Sequence, residues 1–76
     1  MDTPASGKEP SLLDVVALLA DRPAEALTRG QVGTVVETLR KDSVLVEFSD
    51  DQGRPYAVVP CGRSELLVLH YEPQAA

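Results

Sequence analysis

The run Arg29-Gly30-Gln31-Val32-Gly33-Thr34-Val35-Val36-Glu37 brings two glycines close together and leads straight into β-branched residues. Glycine enters a turn at positive φ without a Cβ penalty, and it lets another part of the chain approach a strand closely. Val and Thr in succession favour the extended, pleated chain. The stretch therefore predicts a turn at Gly30, a bulge or close crossing at Gly33, and a strand that continues to Leu39. A phosphate cradle is the competing reading. Such loops aim backbone N–H groups from a strand into a helix and are usually followed by lysine, whereas here a strand follows and no lysine does. Gly30 and Gly33 are accordingly structural turn residues.

The remainder of the chain is punctuated in the same way. Residues 44–48 alternate, with Val44, Val46 and Phe48 on one face and Leu45 and Glu47 on the other. Residues 40–43 are a polar connection of hairpin length before them. After them, Ser49-Asp50-Asp51-Gln52-Gly53-Arg54 has tight-turn composition, with carboxylates that bond the local backbone and Gly53 suited to positive φ. A strand over residues 56–59 is bounded by Pro55 and Pro60, as expected near a sheet edge. Residues 61–65 suit a single 3-10 turn, and residues 66–71 a last strand. Residues 11–21 carry two signals. Ser11 with Asp14 three residues on, and apolar residues at helical spacing, argue for a helix; adjacent valines and the nearby Pro23 argue for a strand, which is the preferred reading. Residues 22–29 read as a loop with one helical turn, from which Leu27 tucks against the core edge.

Five short strands with no room for a sizeable helix make the chain all-β. A long first loop, two tight hairpins and a short 3-10 turn before the last strand is the order of a small five-stranded antiparallel SH3-like barrel. The domain is expected over residues 11–72, between a flexible N-terminal tail (1–10) and a C-terminal tail (73–76). At 76 residues it is one domain, of a size that buries only roughly 60 % of its unfolded surface.

Twelve acidic residues against seven basic ones leave a net charge of -5, which opposes a nucleic-acid role, and aromatics at 4 % make a thin stacking platform. No apolar run approaches the roughly 20 residues of a membrane span. The single cysteine, Cys61, forms no internal disulfide, and the N-terminus lacks a secretory pattern, so a cytoplasmic location is expected. Cys61 and His70 are the residues with nucleophile or soft-ligand chemistry. A catalytic pair needs a third orienting group and a pocket, so no enzyme activity and no cofactor are expected. Glu47, Asp50 and Asp51 gather near one hairpin but fall short of a calcium loop in spacing and ligand number, so no metal is expected either. They read instead as a surface that recognises a basic protein partner. Leu45, Tyr56 and Tyr71 add outward apolar and aromatic surface to that partner-binding set, and the edge of the fourth or last strand offers strand pairing as a second mode.

Leu12-Leu13-Asp14-Val15-Val16-Ala17-Leu18-Leu19, the glycine run through Glu37, Val46-Glu47-Phe48 and Leu66-Leu67-Val68-Leu69 together resemble a bacterial family of short stand-alone proteins known only as a domain of unknown function. The resemblance covers about residues 11–72. It implies an SH3-like barrel and supplies no catalytic residues; its members are often encoded beside another short protein, as toxin and antitoxin are. The glycine–strand unit is also similar to KOW-type modules, to the barrel-like subunit of photosystem I and to the nitrile hydratase β-subunit. Unlike KOW modules, this chain has no cation but Arg29 around its glycines. The function expected is a non-enzymatic protein-interaction module, antitoxin-like in a two-gene system. An accessory subunit on a larger redox or metabolic enzyme is the alternative, and single-stranded nucleic-acid binding a third reading. Oligomeric state is left open.

Overall fold

In the computed structural model, which describes residues 9–40 and 42–70, the alternating segment forms β3, Ser43–Ser49. Val44, Val46 and Phe48 are fully buried, and Leu45 and Glu47 lie on the opposite face. β2, Val32–Thr38, and β4, Pro55–Gly62, flank it antiparallel. β1, Val15–Leu18, pairs with β2 on one side and with β5, Leu66–Val68, on the other. The result is one five-stranded antiparallel sheet in the order β4-β3-β2-β1-β5, with two 3-10 turns, Pro23–Glu25 and Arg63–Glu65, and no α-helix among the described residues. Among the described residues no helix is long and apolar enough to cross a membrane.

The edge strands of this sheet are consecutive in the chain, joined only by the turn Arg63–Glu65. Four inter-strand steps of a flat sheet span roughly 19 Å, whereas three residues in 3-10 conformation advance only about 6 Å. The sheet must therefore roll until β4 and β5 approach. Rolling makes one face concave, and that face holds the core: Val16 and Leu18 from β1, Val35 from β2, the β3 trio, Val59 and Cys61 from β4, and Leu66 from β5. Leu27 enters it from the long first connection, as its isolation among polar neighbours predicts.

Residues 11–14 explain the competing helix signal. Asp14 Oδ2 accepts from the Ser11 N–H at 2.9 Å and from Ser11 Oγ at 3.1 Å, the contacts of a cap, but Leu13 takes φ +71 and no helix follows. Instead β2 captures the chain, with Leu13 N–H donating to the Val35 carbonyl and Val35 N–H to that of Asp14. Gly30 sits at φ +92, as the turn requires. Pro10 is buried, and its carbonyl accepts from Arg63 Nε at 3.1 Å.

Of the strand expected over residues 11–21 only Val15–Leu18 is extended into the sheet, and three further features differ from the sequence reading. Pro60 does not end β4, which runs on to Gly62. On an edge strand the imide nitrogen of a proline can point away from the sheet, where no donor is needed. The bulge lies not at Gly33 but between Val35 and Glu37, placing Val36 as the extra residue; Gly33 is the close crossing, where β3 leaves no room for a Cβ. β5 stops at Val68 rather than residue 71, with Leu69 N–H adding one more bond to the Val15 carbonyl. The tail segments 1–8 and 73–76, and Tyr71, lie outside the described residues.

Candidate functional site

With the core on the concave face, the convex face carries the remaining half of every strand. Register sets its composition. One cross-strand row reads Val15, Thr34, Glu47, Val58 from β1 to β4; the next reads Leu67, Ala17, Val32 from β5 to β2. Beyond Glu47, Leu45 stands between Glu37 on β2 and Pro60 on β4. Val58 and Leu67 are each 51 % exposed, whereas Glu47 is half-buried among its neighbours. The Glu47 side chain has no hydrogen bond or ion pair among the described residues, and these rows contain no lysine or arginine.

The partner-binding set named from the sequence is thus divided by the structure. Leu45 and Glu47 share the convex face of β3. Tyr56 is exposed on β4, and its hydroxyl accepts from Gln31 Nε2 at 2.8 Å, which ties the edge strand to the approach to β2. Asp50 belongs to its own turn: its Oδ1 accepts from the N–H groups of Gln52 and Arg54, both at 2.9 Å, while Gly53 takes φ +82 and donates to the Asp50 carbonyl. An aspartate that organises a turn in this way is occupied structurally. Asp51 is exposed at the same tip. Glu47 therefore stands apart from the hairpin pair in environment, and among the described residues no group of three acidic, His or Cys side chains is arranged to hold a metal.

Val58, Val15, Thr34, Val32 and Leu67 were not singled out by sequence reasoning. Alternation points Glu47 outward, but its neighbours depend on registers that the Val36 bulge and the hairpin lengths determine. Val58 was hidden further because Val59 beside it is equally apolar, so the strand shows no period.

Cys61 and His70 do not form a pair. Cys61 is buried, with Arg22 Nη1 at 3.5 Å from its sulfur and its thiol 3.7 Å from the Val59 carbonyl, whereas His70 is exposed beyond β5. Arg22 is the hub of this corner: its guanidinium also bonds Glu25 Oε1 at 3.1 Å, Glu65 Oε1 at 3.2 Å and the Pro60 carbonyl at 3.2 Å. One side chain from the long first connection so joins the edge of β4 to the turn that precedes β5. Glu65 Oε1 in addition accepts from the Gly62 N–H at 3.0 Å.

Burial pushes the Cys61 thiol above its usual range, against the opposing pull of the Arg22 guanidinium. A group whose folded pKa is raised contributes stability that is intact below its unfolded pKa, about 8.5, and is lost as pH rises through the folded value. Thermal melts above pH 8.5 are therefore expected to fall more steeply for the wild-type chain than for Cys61→Val. Parallel alkaline slopes in the two proteins would refute the assignment.

An open depression of about 350 Å³ lies elsewhere, lined by Pro10, Asp42, Arg63, Ser64 and Leu66 among others. Arg63 braces it through backbone carbonyls, donating from Nε to Pro10 and from Nη1 to Arg40 at 3.4 Å. None of the partner-binding candidates among the described residues lines it.

Comparison with known proteins adds one match. A family model described as a domain of unknown function (DUF4926) matches residues 12–68, from the turn before β1 to the last residue of β5. No curated protein and no solved structure matches the chain.

Proposed function

We propose that this chain, which belongs to the DUF4926 family, is a non-enzymatic protein-interaction module on an SH3-like barrel framework, acting as the neutralising, antitoxin-like member of a two-protein system in the cytoplasm. Support for the barrel comes from the rolled meander, its long first connection and the 3-10 turn before β5. The observation that carries the function is the convex sheet face, where Val32, Val58 and Leu67 stay exposed and no element of the described chain covers them. Apolar side chains gathered on one face are the usual substance of protein interfaces. A net charge of -5 favours a basic partner and speeds encounter with it.

The test is recovery of the tagged chain from its native host after mild crosslinking, followed by reconstitution with the purified partner and light scattering at several salt concentrations. A defined complex with one basic protein, weakening as salt rises, is the expected result. Recovery solely as free monomer at every salt concentration would overturn the reading.

A further inference from the structure

We propose that the convex face is the docking surface itself, and that its occupant is a partner segment presenting a lysine or arginine among apolar side chains, seated so that the cation meets Glu47. The proposal rests on the interaction-module reading and adds which face is used and what chemistry fits it.

One carboxylate sets the chemistry that this face accepts. Glu47 stands in a cross-strand row between Thr34 and Val58, with Val15 beyond Thr34 and the Leu67, Ala17, Val32 row alongside. It is half-buried before anything binds, and no donor or cation among the described residues pairs with it. A partner that covers this face removes the carboxylate's remaining water. A wholly apolar partner would leave the charge desolvated and unpaired, which is the costly case. A second copy of the chain, packed face to face about a two-fold axis, would bring Glu47 and Glu37 of each protomer toward the same acids of the other, so like charges oppose it. Phosphate-bearing surfaces are repelled for the same reason. What remains is a segment whose apolar side chains match the valines and leucine of the two rows and whose central cation neutralises Glu47. The same carboxylate then discriminates, because an otherwise similar segment bearing an acid is rejected.

Amide chemical shifts of the 15N-labelled full chain, titrated at low salt, test this with two end-capped hexapeptides, one alternating valine with lysine and one alternating valine with glutamate. The lysine peptide is expected to give saturable shifts centred on Thr34, Glu47 and Val58, with the glutamate peptide weaker by at least about tenfold. Glu47→Gln, a surface change that leaves the core intact, should weaken the lysine peptide by about three- to tenfold. Shifts confined to the Asp50–Gly53 tip, equal binding of both peptides, or no saturable shift would each overturn the proposal. The two readings separate in the native host. A partner recovered equally well by wild type and Glu47→Gln removes the convex-face docking and leaves the interaction module standing; no partner with either removes the module.

Discussion

Gly33→Val is expected to abolish the cooperative thermal unfolding transition. Gly33 lies on the concave face of β2, paired with Val16 on one side and Phe48 on the other. A Cβ at this position would stand 2.7 Å from Val46 Cγ1, 2.8 Å from the Glu47 carbonyl oxygen and 3.0 Å from Phe48 Cδ2. Two of those atoms belong to fully buried side chains and the third is backbone, so none can swing away into solvent. Overpacking of this kind costs about 1–3 kcal/mol for a methyl group and more for a branched one. A chain of this length holds only about 4–11 kcal/mol in total. Gly33→Ala should still fold with its melting temperature lowered by about 5–20 °C. Gly30→Ala separates the packing effect from backbone strain, because Gly30 has positive φ but open space around it; its cost should stay near 1 kcal/mol. A Gly33→Val protein that melts like wild type would show that β2 does not cross β3 in the way described.

Phe48→Ala is expected to be as damaging from the opposite direction. Phe48 is the only phenylalanine in the chain, is fully buried, and lies on the inner face of the strand between β2 and β4. Its removal leaves a cavity at the centre of a small core, with a cost of about 3–5 kcal/mol. Chemical denaturation should show a midpoint near zero denaturant or no folded baseline at all. The two sites are coupled as well, because the ring occupies the space that Gly33 leaves open. Phe48→Leu combined with Gly33→Ala should therefore destabilise by less than the sum of the single changes. Strict additivity would mean that the ring and the glycine do not share that space.

Why some of this was legible in the sequence and some was not follows from particular residues. β3 was legible because Val44, Val46 and Phe48 alternate with more polar or outward residues, so one period fits and the other does not. Gly30 and Gly53 were legible because a turn that demands positive φ leaves few other choices. β4 was legible as an edge strand over residues 56–59 but not in its facing or its end, since Val58, Val59 and Pro60 read the same for either face, and a proline signals a strand end until the side its nitrogen faces is known. The bulge at Val36 was invisible for a related reason: Val35 and Val36 are chemically identical, and only the pairing with Val46 and Leu45 decides which is inside. For the site, alternation placed Leu45 and Glu47 outward, while their proximity to the charged hairpin made Glu47 look like its companion. Register assigns it instead to the middle of a sheet face. The Arg22 hub joins residues up to 43 positions apart in sequence, a distance over which no local pattern operates.

The placement of β1 also has a consequence for how the chain is made. Its first strand is inserted between its second and its last, so Val16 meets Gly33 on one side and Val68 on the other. Emerging in order from a ribosome, β1 through β4 can form a meander, but the outer edge of β1 stays open until the final strand arrives. An open, apolar edge is a template for pairing with other chains. The last few residues of the family-matched region, Leu66–Val68, therefore act as the stopper that covers the open edge of β1 in the nascent sheet, and chains interrupted just before them are expected to aggregate rather than to fold in part.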